Sequence, residues 1–127
     1  MRFRYLTKEE IIEIHDLMIK NYGGTPGILF DNELELVIDS PTQSFFGKEQ
    51  FTNCVEKASK LFHELNKLHP FIDGNKRTAY ESAKVFLMLN GRALSPPKEE
   101  VLKISLSTAT CQADMKTVLA WFKRYIV

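Results

Sequence analysis

The chain has 127 residues, of which 44% are hydrophobic and 26% are charged, and its formal net charge is +1 at pH 7. Such a chain can bury a core without disulfides or metals, so we expect one globular domain over residues 1–127. The small net charge excludes a strong long-range field toward nucleic acids or anionic membranes.

The two cysteines, Cys54 and Cys111, form no metal-ligand pattern. The N-terminal stretch "MRFRYLTKEE" lacks the apolar core of a signal peptide, and no segment approaches the roughly 20 apolar residues of a membrane span. We therefore expect a cytoplasmic protein that contacts no membrane. Direct binding of nucleic acid is not expected either, because the charge is near zero and no recognition motif is present.

The first third of the chain predicts two helices. Thr7 and Glu10 have the spacing of a capping box, in which each side chain satisfies a free amide at a helix start. The stretch "GGTPG", residues 23–27, ends that helix. The apolar residues of this first helix recur at helical spacing: Ile11, Ile14, Leu17, Met18 and Tyr22. Asp31 is the predicted N-cap of a short second helix, which ends at "SP", residues 40–41.

The central part predicts a flap and two longer helices. Residues 41–51, "PTQSFFGKEQF", mix aromatic and polar side chains without a helical period, which predicts a loop or a short hairpin. Helical periodicity then returns over residues 52–68. Its apolar face comprises Val55, Ala58, Leu61, Phe62, Leu65 and Leu68. A further helix is predicted from about residue 76 to residue 89. Its apolar face comprises Ala79, Ala83, Phe86 and Leu87.

The last part predicts two more helices. Residues 99–109 carry the first, and Asp114 opens the second. The expected buried residues are Val101, Leu102 and Leu106 in one helix and Val118, Leu119, Phe122 and Tyr125 in the other. The predicted fold class is therefore all-α, a compact bundle of about six helices with a short flap hairpin or loop before the two central helices.

The loop "HPFIDGNKR", residues 69–77, lies between the central helices. Pro70 disfavours the right-handed helical conformation at His69, so the helix ends there and the imidazole is displayed. Gly74 permits a positive φ just before the next helix begins. The unpaired first-turn amides of that helix, together with its dipole, form an arrangement that binds phosphate.

The charged residues of the loop fit the same chemistry. Lys76 and Arg77 oppose the helix dipole unless an anion lies there, and Arg77 can hold two phosphate oxygens at once. Asp73 fits beside a phosphate if Mg²⁺ bridges the two. His69 can accept a hydroxyl proton at cytoplasmic pH. The loop therefore predicts transfer of a phosphate-containing group from a nucleotide to a hydroxyl. The alternative is that these residues are ordinary helix caps and a solvated turn.

These nine residues resemble the signature of the Fic/Doc superfamily, HxFx(D/E)xN(G/K)R, and the lysine at the eighth place resembles the Doc, or death-on-curing, branch. The resemblance extends over roughly residues 5–110, through "GILFDNELELVIDSP", "FG" at 46–47, "EKA" at 56–58 and "FLMLNG". It implies the all-helical Fido fold, with the motif between the two central helices.

The resemblance also implies catalytic and structural roles. His69 would be the general base that activates a Ser, Thr or Tyr hydroxyl, and Asp73 would bind Mg²⁺. Phe71 would be the buried anchor of the loop. Residues 41–51 would be the flap that binds the target polypeptide by strand addition.

The nucleotide-binding residues follow from the same resemblance. Asn75 and the backbone amides around Gly74 and Lys76 would form an anion hole. Lys76 and Arg77 would contact the phosphates of ATP, and Arg77 would take part in catalysis with His69 and Asp73.

Two departures from the AMP-transferring pattern HPFx(D/E)GNGRxxR concern the group that is transferred. Lys76 replaces its second glycine and Tyr80 replaces its last arginine. In Doc-type proteins this change accompanies the reversed binding of ATP, with the γ-phosphate toward the histidine and elongation factor Tu as the family's known target. Pro70 and Gly74 are shared with the AMP-transferring pattern. Two alternatives therefore stay open, AMP transfer and a catalytically inactive binding module.

The resemblance also implies a separate antitoxin. Many Fic proteins carry an inhibitory (S/T)xxxE(G/N) segment, whereas "SPPKEE" from Ser95 has Glu100 in place of the final Gly or Asn. Restraint would then come in trans, from a polypeptide whose disordered tail folds onto this chain.

Two other histidines are assigned no catalytic role. His15 and Asp16 form the "HD" pair of metal-dependent phosphohydrolases, but those enzymes need a further upstream histidine that the sequence does not have. His63 is predicted to be a helix surface or cap residue.

Overall fold

The computed structural model describes residues 2–127. Over this range the chain forms an all-α fold with a small antiparallel hairpin, as predicted. The helices are α1 (Lys8–Tyr22), α2 (Asp31–Asp39), α3 (Cys54–Leu68), α4 (Asn75–Leu89), α5 (Lys98–Ala109) and α6 (Met115–Tyr125). The two strands are β1 (Ser44–Phe45) and β2 (Lys48–Glu49), and a 3₁₀ turn over Ser40–Thr42 precedes them. No helix within residues 2–127 is long and apolar enough to cross a membrane.

The start of α3 is fixed by a second capping box. Asn53 Oδ1 accepts a hydrogen bond from Glu56 N at 2.9 Å, and Glu56 Oε1 accepts one from Asn53 N at 3.4 Å. Thr52 remains outside the helix and donates its amide to the same Glu56 oxygen. The helix therefore begins at Cys54, two residues later than periodicity predicts, because these polar side chains satisfy its first amides.

At the N-terminal end, the capping box of Thr7 and Glu10 is confirmed. A hydrogen bond from Arg4 and one from the Thr7 amide lower the pKa of Glu10 to about 2. The predicted N-cap Asp31 is instead the first residue of α2, and Phe30 occupies the cap position. Asp31 Oδ1 lies 2.9 Å from Lys8 Nζ, so this carboxylate links α2 to α1.

Helix α3 occupies the centre of the molecule and packs against α2, α4, α5 and α6, while α1 lies on α4 and α2. Phe62 of α3 meets Phe122 of α6 edge to face, with ring centroids 5.3 Å apart. The predicted apolar residues of α4 are all buried. The two helices that flank the motif, α3 and α4, therefore pack extensively against each other, and this packing holds both ends of the loop between them.

Two predicted apolar faces are wrong in part. In α1, Leu17 and Tyr22 are 49% and 61% exposed, and the buried side includes His15. In α5, Leu102 and Leu106 are exposed, whereas the buried residues are Ile104, Ser105 and Thr108. The hydroxyl of Thr108 donates to the Ile104 carbonyl, so this polar side chain is satisfied within the helix and can face the core.

The ion pair of Lys60 and Glu64 on α3 predicts acid sensitivity. A hydrogen bond from His63 and the adjacent ammonium of Lys60 lower the pKa of Glu64 from 4.5 to about 2. A depressed folded-state pKa stabilises the fold above the unfolded value, and this contribution is lost as the pH falls from about 4.5 to about 2. We expect the wild type to lose about 1–3 kcal/mol more than Glu64→Gln over that interval.

Urea unfolding at several pH values measures this difference. Glu13→Gln serves as the control, since Glu13 is an exposed glutamate on α1. Equal slopes of unfolding free energy against pH for wild type and Glu64→Gln would contradict the assignment.

Candidate active site

His69 ends α3 in the left-handed conformation, with φ 47° and ψ 58°. Its amide donates to the Leu65 carbonyl at 3.3 Å, which closes the last turn of the helix. A β-carbon in this region is strained by roughly 1–2 kcal/mol. Pro70 disfavours the right-handed alternative at His69, as the sequence predicts, and the imidazole is half-buried.

Gly74 starts α4 in a second left-handed turn, with φ 76° and ψ 16°. The first backbone hydrogen bond of the helix runs from Thr78 N to Gly74 O at 3.0 Å. The amides of residues 75–77 therefore precede the helical ladder and lie at the positive end of the helix dipole. The helix begins at Asn75 rather than at residue 76, and Lys76 and Arg77 are exposed in its first turn.

A segment from α1 to α2, residues 24–30, supports the motif from the side. The carbonyl of Pro70 accepts hydrogen bonds from Leu29 N at 2.8 Å and from Phe30 N at 3.0 Å. Ile72 N donates to Gly27 O at 3.1 Å, and Ile28 pairs with Phe71 in an antiparallel bridge. The shape of residues 70–72 is therefore set by a stretch of chain that is distant in sequence.

Phe71 is buried, with 1% of its surface exposed, and its role as the anchor of the loop stays a prediction. It stacks on the ring of His15 with centroids 3.8 Å apart and planes 7° from parallel. Asn75 closes the loop, because its Nδ2 donates to Phe71 O at 2.9 Å and its Oδ1 accepts from Phe71 N at 3.0 Å. The amide side chain of Asn75 thus holds the loop, and its role in an anion hole stays a prediction.

Asp73 is exposed and is held by both its backbone and its side chain. Its carbonyl lies 2.7 Å from His15 Nε2, and one carboxylate oxygen, Oδ2, accepts from Thr25 N at 2.9 Å. A carbonyl can only accept, so Nε2 of His15 carries the proton. A β-carbon on Gly24 would lie 3.2 Å from Asp73 Cβ, and Gly24 has φ +117°. Glycine at this position therefore lets the 24–30 segment approach the carboxylate.

The exposed cation Arg77 is placed by an aromatic ring. Its guanidinium carbon lies 4.4 Å from the ring centroid of Tyr22, the last residue of α1. A guanidinium stacked on one face of a ring keeps its edge donors available for an anion. The ring therefore orients Arg77 at the N-terminus of α4, where the backbone amides are also unpaired.

The flap forms the hairpin that residues 41–51 predict. Ser44 pairs with Glu49 and Phe45 with Lys48, and Gln50 N donates to Gln43 O at 3.0 Å. All residues of the hairpin are exposed, including Phe45 and Phe46, whose rings meet edge to face at 4.4 Å. A short exposed strand edge of this kind can accept an extended polypeptide.

Comparison with known proteins identifies the family. A sequence model of the Fic/DOC family matches residues 5–87. The chain belongs to the Fic/Doc family. Its similarity to two Doc proteins places it in the Doc branch.

Both relatives match over most of their length. "Protein kinase doc" of Escherichia phage P1 is 31% identical over 122 residues, which cover 95% of this chain and 94% of the relative. "Toxin Doc" of Mycolicibacterium smegmatis is 27% identical over 114 residues, which cover 87% of this chain and 85% of the relative.

In this Fic/Doc site, sequence reasoning missed the residues that hold the motif. It rejected His15 as a metal ligand and did not expect it to support Phe71 and Asp73. It placed Tyr22 on the buried face of α1, whereas the ring is exposed and contacts Arg77. The available signal for His15 is its position between Ile11 and Met18 on the buried face of α1, where a polar residue needs a partner.

The contacts of His15 predict a positioning role. We expect His15→Phe to keep the stack on Phe71 but to leave the Asp73 carbonyl without its donor, which would lower the rate of the group transfer that the motif predicts about tenfold or more. The rate of label transfer from ATP measures the effect, and circular dichroism checks the fold. His63→Phe is the matched control, because the imidazole of His63 contacts Glu64 rather than the motif. Equal rates for the two variants would contradict this role.

Proposed function

We propose that this Doc-branch protein is a toxin that transfers the γ-phosphate of ATP to a hydroxyl side chain of a target protein. The observation that carries the proposal is the motif turn itself, in which two left-handed residues, His69 and Gly74, enclose Asp73 and lead directly into the N-terminus of α4. The two relatives, one named as a protein kinase and the other as a toxin, support the same function.

His69 is the proposed general base. Its imidazole is half-buried at the end of α3, and its backbone is held by the hydrogen bond from the His69 amide to the Leu65 carbonyl and by Pro70. A base that is held in place can accept the proton of a Ser, Thr or Tyr hydroxyl as the oxygen attacks phosphorus. As the new O–P bond forms, the bond between the γ-phosphorus and the β–γ bridging oxygen breaks, so that ADP is released and the hydroxyl proton remains on the imidazole.

The N-terminus of α4 is the proposed phosphate site. The amides of residues 75–77 and the side chains of Lys76 and Arg77 supply donors and positive charge at one end of the helix. Asp73 is the proposed Mg²⁺ ligand, and the fit is good because Mg²⁺ often uses one or two carboxylates together with nucleotide oxygens and water. When bound, the ion would neutralise charge on the phosphates. The hydrogen bond from Thr25 uses one of the two carboxylate oxygens.

The residue at position 80 supports phosphate transfer over AMP transfer. The AMP-transferring pattern has an arginine there, whereas Tyr80 is half-buried and packs against the core, and burial raises the pKa of its hydroxyl. A phenol carries no positive charge in either protonation state, so this side chain supplies no cation to a phosphate. Lys76, where that pattern has glycine, fills space beside the phosphates and supports the reversed orientation of ATP.

The proposed partners are a target protein and an antitoxin. The exposed edge of the hairpin offers the target a strand-like surface, and elongation factor Tu is the proposed target. Glu99 and Glu100, in the segment that resembles an inhibitory motif, lie in the first turn of α5 and cap that helix electrostatically. Restraint is therefore proposed to come in trans, from an antitoxin.

A label-transfer experiment tests the proposal. Purified protein is incubated with Mg²⁺, elongation factor Tu and ATP that is labelled on either the α- or the γ-phosphate, and cell extract replaces the factor in a parallel reaction. We expect label on protein only from γ-labelled ATP, with mass spectrometry placing it on a hydroxyl side chain. Asp73→Asn, which keeps the side-chain shape, is expected to remove the transfer.

Each other outcome selects an alternative. Label only from the α position would show AMP transfer and overturn the proposal. An absence of label from both forms, together with growth inhibition that persists in a His69→Ala variant, would identify a catalytically inactive binding module. Label in the extract but not on elongation factor Tu would retain the reaction and reject the target.

A further inference from the structure

A buried lysine connects the flap to the core. Lys57 of α3 is fully buried, with 0% of its surface exposed, although lysine is rarely buried without a partner. Its Nζ donates to the Pro41 carbonyl at 3.0 Å and to Glu49 Oε1 at 3.3 Å. Pro41 precedes the hairpin and Glu49 ends its second strand, so a single ammonium holds both stems of the flap.

Aromatic rings complete the surroundings of this ammonium. The ring centroids of Phe3 and Tyr5 lie 5.1 Å and 5.3 Å from Nζ, which places the charge against two π faces of the N-terminal segment. A buried charge is tolerated where hydrogen bonds and an opposite charge replace water. Here the opposite charge is Glu49, a half-exposed residue of the flap, so the flap itself supplies part of what the buried ammonium requires.

The contact also decides which face of the hairpin is presented. Glu49 points toward Lys57, and its cross-strand partner Ser44 lies on the same face. Successive side chains of a strand alternate, so the other pair, Phe45 and Lys48, lies on the opposite face. A shift of one residue in register would exchange the two faces. Holding Glu49 therefore keeps an aromatic ring and a cation facing outward.

From this geometry we infer that Lys57 is a positioning residue for protein-substrate binding: through Glu49 and Pro41 it fixes the flap so that Phe45 and Lys48 face the bound polypeptide. This inference rests on the proposed function, because it assigns the target to the flap. Lys57 lies outside the motif, so its loss is expected to weaken binding of the protein substrate while ATP binding and the chemical step are retained.

Four variants test the inference. Lys57→Met removes the charge but keeps the bulk, and Glu49→Gln removes the partner from a half-exposed position at small risk to folding. The double variant tests coupling, and Glu13→Gln, an exposed site on α1, is the control. We expect KM for elongation factor Tu to rise about fivefold in each single variant and no further in the double variant, with kcat and KM for ATP within about twofold.

A second readout needs no activity. Backbone NMR order parameters of residues 44–49 are expected to fall below about 0.6 in Lys57→Met and Glu49→Gln and to stay unchanged in the control. Unchanged order parameters in Glu49→Gln, or a loss of kcat without a change of KM, would overturn the inference. If the wild type transfers no phosphate, the proposed function fails. The order parameters still decide whether Lys57 and Glu49 hold the flap in place. Should Lys57→Met not fold, Glu49→Gln alone gives the decision.

Discussion

Replacing His69 by alanine is expected to lower the rate of phosphate transfer by about 10²- to 10⁴-fold, the range found when a general base is lost. The affinity for ATP should change little, because the unpaired amides, Lys76, Arg77 and Asp73 remain in place. Alanine meets the same backbone strain as histidine at φ 47°, so the turn itself is expected to persist. Single-turnover transfer from γ-labelled ATP measures the rate, and a fluorescent nucleotide measures the affinity.

His63→Ala provides the matched control for this experiment. His63 is a half-buried histidine of α3, on the same helix but in contact with Glu64 rather than with the motif. We expect its transfer rate to stay within about twofold of the wild type, because the imidazole of His63 contacts Glu64 and no residue of the motif. Transfer at the wild-type rate by His69→Ala would remove the histidine from the mechanism. Comparable losses in both variants would indicate a general effect on folding.

Phe71→Ala is expected to destabilise the fold by about 3–5 kcal/mol. The phenyl ring is 1% exposed and stacks on His15, so its removal leaves a cavity in the interior. Because Phe71 also carries both hydrogen bonds of Asn75 on its backbone, a shift of this residue displaces the start of α4. The measurement is urea unfolding, where a lower midpoint with an unchanged slope reports a loss of stability.

Phe45→Ala is the comparison for this second variant. The residue type and the deleted atoms are the same, but Phe45 is 62% exposed on the flap. We expect its unfolding free energy to remain within about 0.5 kcal/mol of the wild type. If Phe71→Ala were as stable as Phe45→Ala, Phe71 would not be the anchor of the loop.

The central helices were predictable because their apolar residues are regularly spaced and deeply buried. The buried face of α5 was not predictable in this way. Its exposed residues include Leu102 and Leu106, while Ser105 and Thr108 are buried. Hydropathy alone ranks leucine above threonine for burial, but a hydroxyl that is bonded within its own helix carries little penalty in the core. Whether these side chains are buried or exposed depends on their packing partners in the tertiary structure, which the local sequence does not reveal.

The motif residues were predictable from one contiguous stretch, whereas their supports were not. His15, Thr25 and Tyr22 contact the motif from α1 and from the 24–30 segment, far away in sequence. Such contacts depend on how α1 lies on α4, and periodicity gives no distance between two helices. Lys57 lies within "EKA", a stretch that contributes to the family resemblance, but its burial and its contacts with the flap follow only from the tertiary structure.

The pairing of residues 24–30 with residues 70–73 bears on the order in which parts of this protein fold. Neighbouring helices such as α3 and α4 form from contacts that are close in sequence, while closing the longer loop to the 24–30 segment is entropically slower. A nascent chain can therefore acquire its helical hairpin, with every motif residue present, before the turn has its final shape. The motif would then reach its final shape late in folding, after most of the helical structure has formed.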